Sequence, residues 1–80
     1  MGKAGQALKQ VLETYGISQN RVAVTMGTRR GNVHRWVNEM ADPAGDAVLE
    51  IRDALEKIHP DAAEEFIRLY LGKSAKDESP

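Results

Sequence analysis

The sequence contains no cysteine, which excludes disulfide staples and thiolate metal sites and suits a reducing cytosol. Its two histidines, His34 and His59, are isolated from each other and too few for a histidine metal site. No apolar run approaches the roughly 18 residues of a membrane span, and no signal-peptide pattern opens the chain. Met1-Gly2 has the start of a myristoylation signal, but Gln6 stands where Ser or Thr is required. Aromatic residues amount to 5% of the chain, and no stretch alternates strictly between apolar and polar. Strands are therefore not expected.

What remains is rich in Ala, Leu, Glu, Lys and Arg, and 80 residues of that composition predict one small all-α domain. The net charge of −1 conceals an uneven distribution. Residues 19–38 hold Arg21, Arg29, Arg30 and Arg35 and no acid, whereas residues 39–65 hold nine acids against Arg52 and Lys57. A polyanion-facing surface explains this, and so does chance clustering on solvated faces. Charge alone does not separate them.

Apolar spacing predicts five helices. The first runs from about Lys3 to Tyr15, with Leu8, Val11, Leu12 and Tyr15 on one stripe and Gly16 as its stop. Ser18 is a good N-cap for a short second helix, Gln19 to about Met26, burying Val22, Ala23 and Met26 and ended by Gly27. Thr28 is a second N-cap, and the third helix spans about Arg29 to Val37 with Val33, Trp36 and Val37 inward. A loop over 38–44 carries Asp42-Pro43. The fourth helix runs from Gly45 or Asp46 to about Ile58, with Val48, Ile51, Leu55 and Ile58 inward. Pro60 then opens a fifth at an N1-like position, extending to Leu71 and burying Ala63, Phe66, Ile67 and Tyr70. Residues 1–72 read as a single domain and 73–80 as a frayed tail.

Two short helices joined by a tight Gly-containing turn form a helix-turn-helix, here over residues 18–38. The closely crossing helices need a small residue at their contact, which is Ala23. The turn needs tolerance of positive φ, and Gly27 lies four positions later. The second helix needs pins into the core, and Val33 and Trp36 follow Gly27 by six and nine positions. A plain helical hairpin can show parts of the same pattern.

The stretch "GISQNRVAVTMGTRRGNVHRWV" resembles the phage-repressor and Cro-like family (XRE-type, lambda-repressor-like), whose pattern is Leu-Ser-Gln followed by Ala, Gly and a branched apolar residue at these spacings. "DPAGDAVLEIRDAL" is similar to that family's fourth helix, with Pro43, Val48, Ile51 and Leu55 in register, so the likeness covers about residues 5–58. It implies a five-helix lambda-repressor-like domain. It further implies base contacts from Arg29, Arg30, Gly31 and Arg35, and phosphate contacts from Gln19, Asn32 and Asn38. Arg30 and Arg35 are the expected guanine readers, because a guanidinium matches O6 and N7 bidentately. Arg21 and Arg29 suit phosphate clamping, which positions without specifying. His34 is open to a backbone contact, a base contact or neither, and Trp36 reads as a core plug in preference to a stacking platform. Three places depart from the family pattern: Gly31 in the recognition helix, Val37 where Glu is usual, and Glu39 and Asp42 where Gly and basic residues are common.

The function these residues imply is a sequence-specific double-stranded DNA-binding regulator, cytoplasmic and dimeric. Leu69 and Leu71, off the stripe of Phe66 and Tyr70, are the candidate dimer contact, with packing of the chain end as the alternative. The second functional reading is a protein-interaction module, antitoxin-like for instance, that docks a basic partner on Asp46, Glu50, Asp53, Glu56, Asp61, Glu64 and Glu65. No nucleophile stands beside a base, and "GTRRG" lacks P-loop spacing. An enzyme, a cofactor, a metal, a membrane and a small-molecule ligand are accordingly not expected.

Overall fold

Each helix carries one apolar stripe, and in the computed structural model, which describes residues 3–72, these stripes close on a common core. The described residues form five helices and no strand: α1 Lys3–Tyr15, α2 Gln19–Met26, α3 Arg30–Val37, α4 Gly45–Ile58 and α5 Pro60–Leu71. The expected tail over 73–80 and the Met1-Gly2 start lie outside the described residues. Among the described residues, no helix is long and apolar enough to cross a membrane.

α1 packs on α5 and α3, α4 packs on α5 and α2, and α2 packs on α3. Phe66, Leu8, Ile51 and Leu55 sit at the centre with no meaningful exposure, joined by Val11, Val22 and Val33. Removing side chains of this size from water stabilises the fold by about 1.5–3 kcal/mol each. Val22 of α2 and Val33 of α3 thus fix the two short helices to the same core that α1, α4 and α5 build. Neither helix, at eight residues each, would persist alone, since isolated helices shorter than about 12–15 residues are marginal in water.

Small residues set the spacing between helices. Ala4, Ala7, Ala54, Ala62 and Ala63 are all buried. Gly5 is the extreme case, because a Cβ placed there would lie 2.4 Å from the carbonyl oxygen of Trp36. α1 and α3 therefore meet main chain to main chain at this point.

The inward faces differ in detail from the sequence expectation. Met26, Trp36, Ile58, Ile67 and Tyr70 are half-buried and pack against the core from its margin. Ala54 and Ala62 occupy the fully buried positions beside them. In α3 the i, i+4 pair Val33 and Val37 points straight inward, with Val37 only 5% exposed, so Trp36 lies on the flank and is not a full plug. The absence of Glu at position 37 is thereby explained, since the position is apolar core.

Candidate nucleic-acid interface

The segment from Ser18 to Asn38 is built by caps. Ser18 is extended (φ −80°, ψ 153°), and its hydroxyl accepts from the Arg21 N–H at 3.0 Å, satisfying one of the free donors of the first turn of α2. α2 ends at Gly27, whose φ of 78° is left-handed. The Gly27 N–H donates to the Val24 carbonyl at 3.1 Å and the Thr28 N–H to the Ala23 carbonyl at 2.9 Å, a Schellman termination. That geometry corrects the expected start of α3. Thr28 is committed to closing α2, so the extended residue before α3 is Arg29 (φ −82°, ψ 142°), which makes no side-chain cap. The Thr28 hydroxyl serves the helix differently, accepting from the Asn32 side-chain amide at 2.9 Å.

Arg21, Arg29, Arg30 and Arg35 are all exposed. Among the described residues none of the four forms an ion pair. The two arginines elsewhere both do, Arg52 with Asp53 at 2.9 Å and Arg68 with Glu65. The Glu65 carboxylate, through its hydrogen bond and its charge, holds the Arg68 guanidinium above its ordinary range. Asp53 of α4 and Glu65 of α5 thus neutralise the arginines beside them, while among the described residues no acid pairs with the arginines of the α2–turn–α3 surface.

Two shallow grooves flank this surface. One, of about 610 Å³, is lined by Ser18, Gln19, Asn20, Arg30, Gly31 and His34. It brings the predicted residues Gln19, Arg30 and Gly31 together, with His34 one turn after Arg30. The second, of about 330 Å³, joins Gln19 to Asn38 over a floor of Leu12, Ile17 and Val37, with Lys9 and Glu13 of α1 on its rim. Arg21, Arg29 and Arg35 stand on the exposed surface and line neither groove. Asn32 is half-buried with its amide turned to Thr28. The Asn38 amide donates to the His34 carbonyl at 2.8 Å and also faces the His34 ring.

The two candidate dimer residues part ways: Leu69 is half-buried against the core, whereas Leu71 is 55% exposed. Sequence reasoning missed Lys9, a cation from α1 beside Gln19 and Asn38, because it belongs to a different helix. Glu39, noted from the sequence as standing where Gly is common, closes α3 at a left-handed φ of 60°. There the Glu39 N–H donates to Trp36 and the Met40 N–H to Arg35, the same termination that Gly27 gives α2.

No protein-family model matches the chain, and no solved structure matches it significantly. A protein of Methanocaldococcus jannaschii, whose name proposes it as an HTH-type transcriptional regulatory protein, is 35% identical over 52 residues. That stretch covers 65% of this chain and 16% of the relative. The chain is thus similar to a helix-turn-helix regulator over a small part of that protein's length.

Proposed function

We propose that this protein is a sequence-specific double-stranded DNA-binding regulator of the phage-repressor-like kind, with α3 entering the major groove. The observation that carries the reading is the set of four exposed arginines, without ion pairs among the described residues, on an acid-free α2–turn–α3 segment. The similarity to an HTH-type regulator supports it independently. Arg30 and Arg35 read guanine, each bidentate pair discriminating by about 1–3 kcal/mol. Gly31, with no atom near its Cβ position, lets the backbone of α3 approach base edges. Gln19, Arg21, Arg29 and Asn32 hold phosphates at the edges of the groove. Binding is by a two-fold dimer with recognition helices about 34 Å apart, and the exposed Leu71 is available for its contact.

Selection from a pool of random duplexes, repeated at several salt concentrations, tests this. An enriched palindrome containing guanine, bound with an affinity that falls steeply as salt rises, is the expected result. The double variant Arg30→Glu, Arg35→Glu should lose all enrichment while remaining folded. Unchanged partner binding by that variant, with no DNA enrichment by the native protein, would instead favour docking through the acidic face of α4 and α5.

A further inference from the structure

We infer that a second copy of this chain packs into the outer groove between α4 and α5, which deepens the dimer proposed above and rests on that part of the reading. The groove, of about 310 Å³, is lined by Arg52 and Glu56 of α4 and by Ala63, Glu64, Ile67 and Arg68 of α5. Ala63 and the half-buried Ile67 give it an apolar floor, and the four charged side chains stand exposed along its two walls. α5 also carries more apolar surface than the core takes up. Ala62 and Phe66 are fully buried, while Pro60, Ile67 and Leu71 recur at i, i+7 and i+11 on a neighbouring stripe that borders the groove. Leu71 is 55% exposed, and so, at 54%, is Leu49 of α4, three residues before Arg52 on the same helix face.

The charges of the groove are sorted along its length. α4 and α5 meet at His59, which ends the one and begins the other, and they pack side by side as a helical hairpin. Glu56 and Glu64 lie nearer that corner, and Arg52 and Arg68 lie one turn farther out on their helices. The groove therefore has an acidic end at the corner and a basic end away from it, with Leu49 and Leu71 a further turn out. Such a surface is complementary to itself. A two-fold axis through its middle sets Glu56 and Glu64 of each copy against Arg52 and Arg68 of the other, and every pairing occurs twice. The same rotation carries the two exposed leucines of each copy over the Pro60 corner of the other. In the single chain Arg52 is paired with Asp53 and Arg68 with Glu65, whereas Glu56 and Glu64 form no ion pair among the described residues. Pairs between exposed side chains hold weakly, and a guanidinium has donors enough to serve a second carboxylate. The second copy thus supplies the cations that Glu56 and Glu64 lack.

Sedimentation equilibrium of the native protein without DNA comes first, at up to about 100 µM, above the micromolar constants of weak interfaces. A reversible monomer–dimer equilibrium is expected, and a monomer throughout would overturn the inference. Two double variants then address the groove. Arg52→Glu with Arg68→Glu makes it wholly acidic, and Glu56→Arg with Glu64→Arg makes it wholly basic. Each alone should dimerise about a hundredfold more weakly, because its two copies oppose like charges. Mixed in equal amounts, the two should associate with each other as the native copies do. Native-strength dimers in either variant alone, or a mixture that stays monomeric, would overturn the inference. Thermal melts followed by Trp36 fluorescence verify that each variant folds. Leu49→Ser with Leu71→Ser leaves every charge in place and should weaken the native dimer about tenfold; an unaltered dimer would count against the packing described. Selection of duplexes by the native protein separates this inference from the DNA reading. An enriched palindrome from a protein whose dimer ignores the charge reversals would overturn the groove and leave the regulator standing. Dimers that follow the reversals but enrich no sequence would support the groove and sink the regulator.

Discussion

Replacing Gly5 by Ala tests the contact that seats α3. A methyl group at that position would stand 2.4 Å from the Trp36 carbonyl oxygen and 3.4 Å from its carbon, where ordinary contact begins at 3.4 Å. The obstacle is main chain, so no side chain can rotate away, and α1 and α3 must separate by about 1 Å. Overpacking of this kind costs about 1–3 kcal/mol, and an unyielding neighbour places it at the upper end. Alanine returns up to about 1 kcal/mol of helix propensity to α1. The net loss is then about 2 kcal/mol, against a total stability of about 4–12 kcal/mol for a chain of this size. For a domain of this length that lowers Tm by about 8–16 °C. The assay is thermal and urea unfolding followed by the fluorescence of Trp36, the only tryptophan. Its carbonyl is the atom struck, so its emission should also shift in the folded state. A Gly5→Ala protein that melts at or above the native temperature would refute the close approach and the account of how α3 is held.

Three further substitutions have signs fixed by the same geometry. Gly31→Ala places its methyl group in open space, so it should raise stability by about 0.5 kcal/mol in a urea titration while weakening DNA binding; a fall in stability would contradict the open environment. Glu39→Gly relieves a left-handed residue and should stabilise by about 1 kcal/mol, measured by the same titration, with no gain if another residue terminates α3. Ser18→Ala removes the hydroxyl that accepts from Arg21 and should cost about 1 kcal/mol, while amide exchange in α2 accelerates more than in α4.

The helices were legible because their limits are written in local chemistry. Gly16, Gly27, Pro60 and Gly72 each mark a place where a helix must stop or start, and the predicted and observed spans agree closely. Apolar spacing named the core face of every helix, though it could not rank residues on that face. Ala62 and Ala54 are buried where Ile58, Ile67 and Tyr70 are only half-covered, because depth depends on how near the neighbouring helix stands. The start of α3 was misplaced by one residue because Thr28 has the chemistry of a cap, whereas the Schellman closure of α2 takes up Thr28 and leaves Arg29 as the extended residue before α3. The four arginines were visible from charge alone, yet their freedom from carboxylates is a property of the folded surface. Gly5, Lys9 and the Asn38–His34 pair act through contacts between helices or through side-chain orientation. Periodicity has no access to either.

Under the proposed function, the meeting of Gly5 with the Trp36 carbonyl has a consequence for how the protein can change its target. The orientation of α3 is set from behind, by main-chain atoms and by the buried Val33 and Val37, none of which needs to touch a base. Arg29, Arg30, His34 and Arg35 all point to solvent and contribute nothing to that seating. Lineages are then free to exchange these four side chains one at a time, testing new recognition preferences on a mount that stays aligned. A laboratory library randomised at the same four positions should consequently contain mostly folded members, so that screening effort falls on affinity and little on solubility.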